Sequence, residues 1–289
     1  MRTILATILM IGCVVAFAGG AWADEWNTSQ SGDWSDPATW GGATPVGGPP
    51  AGDYARLWHS GIVFDAAATD GIWGFVFGDN ASLTLQKDIH VATHARIGGY
   101  GSNSTLNSNG HDIYSGDFMS LGVYVYGGAT PNTTLTGGGK VFVTNGLTVG
   151  GGNALAEISG GTVGSVKMGD WGDGNTLRIT QNSGQQDGLT VSSGSITFSG
   201  SNIIDLQFAA PSADGLYWAL RLAGSHTGEL ETLHTAGTLT WTAPYVISVF
   251  EQDGYTYVGN PNVVGTPEPA TMSLLAIGGI AALIRRKRR

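Results

Sequence analysis

The chain has 289 residues, of which only 12% are charged, while 47 are glycine and 42% are hydrophobic. Enough apolar residues are present to bury a core, so the composition excludes a disordered polyelectrolyte; it favours short strands joined by tight turns. Six of the 13 basic residues are Arg2 and Arg285-Arg286-Lys287-Arg288-Arg289, which leaves segment 24–266 with 7 basic and 21 acidic residues. That acidic body repels phosphate backbones, which argues against nucleic acid as a partner, and suits an extracellular setting.

Residues 1–23 read as a secretory signal peptide. Arg2 supplies the positive start, Ile4 to Phe17 form an apolar run, and Ala21-Trp22-Ala23 places small residues where signal peptidase requires them. Cleavage is expected before Asp24. Met10-Ile11-Gly12-Cys13 matches a lipoprotein box only loosely. Cys13 is the single cysteine and would leave with the leader, so no disulfide, cysteine nucleophile or Cys-based zinc site is expected in the mature protein.

Segment 24–54 is rich in tryptophan. Trp26, Trp34 and Trp40 fall in Trp-Asn-Thr-Ser-Gln-Ser-Gly-Asp-Trp-Ser-Asp-Pro-Ala-Thr-Trp, which resembles the openings of secreted bacterial β-solenoid and autotransporter-like repeat proteins. The preferred reading is a cap over the first coil of a β-stack, whose end would otherwise expose apolar surface. The alternative is carbohydrate contact, flat rings being suited to pyranose faces. Gly41 to Gly52 forms a Gly/Pro loop.

From 55 to 202 the chain shows short apolar runs separated by turn residues, including Ile62-Val63-Phe64, Phe75-Val76-Phe77 and Leu83-Thr84-Leu85. A loose repeat carries an Asn-to-Leu core at Asn103/Leu106, Asn132/Leu135, Asn153/Leu155 and Asn175/Leu177, with the asparagines 29, 21 and 22 residues apart. Strands ending in glycine lie between, at Ala95–Gly98, Leu147–Gly150 and Val166–Gly169. A period near 22 with three short strands per turn is the scale of a parallel β-helix, in which each coil buries its inward side chains only by stacking on its neighbours. The segment resembles autotransporter-associated β-solenoid repeats. The fold class expected is therefore all-β, a parallel β-solenoid followed by a small antiparallel module at 203–262. In that module Asp253-Gly254 makes a hairpin turn and Glu229 to His234 a helical turn.

Segment 263–289 holds Pro267-Glu268-Pro269, an uncharged stretch Ala270 to Ile284, and the basic run Arg285, Arg286, Lys287, Arg288 and Arg289. This resembles the PEP-CTERM sorting signal of exported bacterial proteins. The resemblance implies a membrane exosortase that cuts near Pro267–Pro269 after signal peptidase has acted at the other end. It also implies a transient single transmembrane helix and a mature protein at the cell surface or in the extracellular matrix. Fifteen residues make a helix of only ~22 Å, short of a ~30 Å hydrocarbon core, so the span suits a pause better than a permanent anchor. The basic run holds its end in the cytoplasm.

Motif chemistry is sparse. His90 and His94 have i,i+4 spacing, but in strand-like sequence they lie ~13 Å apart, too far to share a metal. Asp170, Asp173 and Asn175 form the one candidate calcium loop, hard oxygen ligands on a Gly-rich turn. No nucleophile elbow, phosphate loop or dinucleotide fingerprint is present, no catalytic residue is assigned and no other cofactor is expected. Basic residues of the solenoid are scattered, and no enzymatic activity is expected. The function expected is structural, in association with exopolysaccharide; a carbohydrate-binding or polysaccharide-degrading β-helix is the alternative.

Overall fold

The computed structural model describes residues 23–263, apart from 43, 79, 99–102, 123–131, 171, 183–187 and 212–213. Residues 1–22 of the expected leader and the sorting segment from 264 onward, including Pro267, Glu268, Pro269 and the five terminal basic residues, lie outside the described residues.

Strands alternate between two long sheets. The first sheet takes β1 (Glu25–Asn27), β3 (Tyr54–Leu57), β5 (Ile72–Phe77), β7 (Ile89–Ile97), β9 (Ile113–Ser115), β10 (Phe118–Leu121), β12 (Val141–Val149), β14 (Gly161–Met168), β16 (Leu189–Phe198) and β18 (Gly215–Ala223). The second takes β2 (Gly32–Asp33), β4 (Ile62–Phe64), β6 (Ser82–Leu85), β8 (Ser104–Asn107), β11 (Thr133–Thr136), β13 (Leu155–Ile158), β15 (Thr176–Gln181), β17 (Ile203–Phe208) and β19 (Leu239–Thr242). All neighbours in these two series pair in parallel. Each coil contributes one strand to each sheet, and the coils stack.

The stack is held by in-register apolar columns. In the second sheet Ile62, Leu83, Leu106, Leu135, Ala156, Leu177, Ile204 and Leu239 succeed one another rung by rung, and all are buried. In the first sheet Ala95, Met119, Leu147, Val166 and Ile196 do the same. No coil could bury these side chains alone, so the core exists only between coils.

The asparagine repeat is resolved differently from its sequence appearance. Leu155 pairs with Thr134 and Thr176 at an outward position, and Ala156 occupies the inward one. Asn153-Ala154-Leu155 has one residue fewer than Asn103-Ser104-Thr105-Leu106, and in a strand a one-residue slip exchanges the faces. Ser104, Thr133, Ala154, Asn175 and Asn202 form the buried corner column, while Asn103, Asn132 and Asn153 are exposed one residue earlier. Asn175 N–H donates to Asn202 Oδ1 at 2.9 Å, and Ala154 N–H donates to Asn175 Oδ1 at 2.9 Å. The amides thereby satisfy corner backbone groups that would otherwise be buried without partners.

The first sheet folds along its length. Register shifts separate Val143 from Gly146 and Val163 from Ser165, and β9 and β10 are the same break made complete. Two arms result, so each full coil has three straight segments. At Gly161 φ is +121°, and a Cβ there would collide with the carbonyl oxygen of Val141 in the coil beneath; only glycine lets the backbones approach this closely.

Both ends depart from the expected boundaries. The Trp-rich segment is the first coil itself, since β1 and β2 pair in parallel with β3 and β4. At the other end the parallel stack runs on through β17, β18 and β19. Among the described residues antiparallel pairing is confined to β18, β21 (Tyr255–Val263) and β20 (Ser248–Gln252). Alternation of apolar and polar residues sets the face of a strand but not its direction, which is why 203–242 reads equally well as either arrangement. The turn between β20 and β21 is Asp253-Gly254, with φ of +52° and +78°, as expected for a tight hairpin. A helix, α1 (Thr227–Thr235), lies between β18 and β19 and buries Leu230.

Candidate functional site

The outward columns of the first sheet carry the most distinctive surface of the molecule. On one arm His90, Tyr114, Phe142 and Thr162 occupy successive rungs. Parallel strands lie about 4.8 Å apart, which brings in-register aromatic rings face to face. His90 and Tyr114 stack with centroids 4.5 Å apart and planes at 10°; Tyr114 and Phe142 stack at 4.7 Å and 7°. On the other arm Gly74, His94, Phe118, Gly146 and Ser165 succeed one another, and His94 stacks on Phe118 at 5.2 Å and 7°. Tyr54 and Trp73 pack beside His94 at 5.4 and 5.2 Å, and the Arg96 guanidinium lies 5.2 Å from the Phe118 ring centre.

Along the bend of the first sheet runs a groove of about 480 Å³. His90, Tyr114, Phe142 and Thr162 line it together with Ala92, Gly116, Thr144 and Ser192. Gly116, one of its lining residues, lies so close to the preceding coil that a Cβ there would meet the Ala92 carbonyl oxygen. Past Phe142 the column changes abruptly from rings to Thr162 and then Thr190.

Charge lies beside the groove rather than in it. Its lining side chains include no Asp, Glu, Lys or Arg; His90 and Tyr114 are the titratable groups. His90 Nδ1 is 2.6 Å from Asp70 Oδ2. The Tyr114 hydroxyl titrates above its ordinary range, first through burial and then through the neighbouring Asp112 and Asp88 carboxylates. Asp88 and Asp112 form a stacked corner, Asp112 N–H donating to Asp88 Oδ1 and Lys140 N–H to Asp112 Oδ1, each at 2.9 Å. Asp117 Oδ1 accepts from Asn145 Nδ2 at 2.5 Å. His94 is held below its usual range, chiefly by burial and also by Arg96, against an opposing pull from Asp117. The groove can therefore grip an apolar ring edge or face and exchange hydrogen bonds with hydroxyls, but it offers no carboxylate pair for acid–base chemistry.

The residues singled out from sequence fall elsewhere. Trp34 is fully buried and Trp40 nearly so. Their rings meet edge to face at 4.8 Å, Trp34 meets Phe64 likewise at 5.1 Å, and Trp40 Nε1 donates to the Trp34 carbonyl at 2.8 Å. Neither can present a face to carbohydrate, because both fill the end of the core. Trp26 is half-buried, its Nε1 donating to Asp53 Oδ2 at 2.8 Å. The calcium candidates each have a partner or place within the protein: Asp170 pairs with Lys167 at 2.6 Å, Asp173 Oδ1 accepts from Ser201 N–H at 3.2 Å, and Asn175 is buried in the corner column. No group of three His, Cys, Asp or Glu side chains placed to hold a metal ion is found among the described residues.

The aromatic columns had a faint signal in the sequence. Ile89-His90-Val91, Ile113-Tyr114-Ser115 and Val141-Phe142-Val143 each place a ring at the outward centre of a short run, but their unequal spacing hides that they share a column.

Among the described residues no helix is long and apolar enough to cross a membrane. Neither the curated proteins nor the solved structures yield a match to the chain. Residues 266–289 match the family described as the PEP-CTERM protein-sorting motif, which implies an exported protein of the cell envelope, processed by exosortase during sorting.

Proposed function

We propose that the protein is a non-enzymatic structural component of the cell surface or extracellular matrix that associates with exopolysaccharide along its β-stack. The sorting motif at 266–289 carries this reading, since it directs the β-stack outside the cell, where polysaccharide is the abundant polymer. The acidic, lightly charged body and its hydroxyl-rich outer columns support it. Signal peptidase and exosortase would be the partners during export, and the C-terminal helix a temporary membrane hold.

The purified protein, sedimented with exopolysaccharide from the parent cells, is expected to leave the supernatant; a protein that stays in solution at every polymer concentration would sink the association. A polysaccharide lyase or hydrolase is the second reading, favoured by the groove on a parallel stack. It would need reducing ends or unsaturated uronates to appear on incubation, and the carboxylate-free lining argues against that.

A further inference from the structure

We infer that the groove is a subsite for an uncharged pyranose ring, seated on the open face of Phe142 and hydrogen-bonded by Thr144, Thr162 and Ser192. The inference rests on the polysaccharide reading above and names its place and ligand class. In the His90–Tyr114–Phe142 stack the rings cover one another, and Tyr114 has a neighbour on both faces. Among the described residues Phe142 has a ring on one side only. On its other side the rung neighbour is Thr162, whose side chain stops at Cγ2 while the phenyl ring extends to Cζ. The outer part of that face therefore looks into the groove.

Thr144, Thr162 and Ser192 are exposed and line the same space. A pyranose has this complementary form: an apolar C–H face for the ring and equatorial hydroxyls around its rim for neutral donors and acceptors. Charge narrows the class further. No cation lines the groove, and around it the carboxylates of Asp88, Asp112 and Asp117 outnumber the one neighbouring ammonium, Lys140, so a uronate or sulfated sugar would be disfavoured against a neutral one. The volume of about 480 Å³ admits a ring with part of its neighbours in a chain.

Calorimetric titration of the full chain in mild detergent tests this, with cellohexaose and maltohexaose as neutral probes and an oligogalacturonate as the anionic one. At least one neutral hexaose is expected to bind, and the anionic one more weakly. Phe142→Leu keeps apolar volume but removes the flat face, and is expected to weaken binding about ten-fold; Phe142→Trp is expected to retain it. Thermal melts of both variants matching the parent would separate loss of binding from loss of fold. Unchanged affinity in Phe142→Leu, tighter binding of the anionic probe, or no binding of either neutral probe would overturn the inference. If Phe142→Leu still sediments with native exopolysaccharide as the parent does, the general reading survives and only this subsite fails.

Discussion

Single side chains on the outside of the stack show how register turns into energetics. Glu157, Arg178 and Asp205 occupy one outward column of the second sheet, and the guanidinium bridges both carboxylates at 2.9 Å. The Asp205 hydrogen bond, ahead of the opposing burial, raises the Arg178 pKa above its usual range. Removing the bridge leaves two carboxylates facing each other across two rungs. Arg178→Ala is expected to cost about 1 kcal/mol in urea unfolding, and less in high salt. Tyr245 makes the opposite case. Its hydroxyl is buried without a partner, and burial, with Tyr217 nearby, pushes its pKa up to about 12 from 10.0. The fold favours the neutral phenol, so the corresponding stability is complete below pH 10 and is lost as pH rises towards 12. Tyr245→Phe is expected to leave stability at pH 7 unchanged or higher by about 1 kcal/mol, and to flatten its alkaline decline. None of these pairings could be read in advance: Glu157, Arg178 and Asp205 are 21 and 27 residues apart, and only the coil lengths bring them together.

At the scale of strands and coils the sequence was more legible. The apolar triplets mark strands, the Gly-terminated runs at Ala95, Leu147 and Val166 fall in one column, and the Asp253-Gly254 turn lies where its dipeptide put it. Leu155 was misread because strand parity depends on a single residue, and the direction of β17 because alternation carries no polarity. The columns make two demands that can be measured. Leu177 is fully buried between Ala156 and Ile204, so Leu177→Ala is expected to destabilise by about 3 kcal/mol in denaturant unfolding. Gly161→Ala places a methyl group against the Val141 carbonyl at a positive φ; it is expected to cost about 2 kcal/mol or more, although it adds apolar surface. A Gly161→Ala variant as stable as the parent would show that the coils do not approach as closely as described.

For the whole molecule the two ends matter most, because a parallel stack is open wherever it stops. The N-terminal coil is closed by Trp34 and Trp40 inside it. At the other end the β20–β21 hairpin crosses the final strand antiparallel and interrupts the parallel pattern that another coil could continue. Deleting residues 245–263 is expected to uncover β18 and to produce larger species in light scattering than the intact chain gives. The molecular role was the least legible part, since two of the three tryptophans that suggested a sugar platform, Trp34 and Trp40, are core residues, and the rings of the outward stack are scattered along the chain from His90 to Phe142.

That hairpin has one more effect. β21 ends at Val263 and the sorting motif starts at 266, so the slack between them is only about 10 Å even when fully extended. A chain still gripped at its tail would hang from this terminal rung like a flag from its hoist. Phe142 on β12 lies four strands up the sheet from β21, a height of roughly 20 Å. A sugar chain caught there would sit that far along the stack from the tethered rung, and whatever becomes of the tail, protein and fibre would travel as one unit.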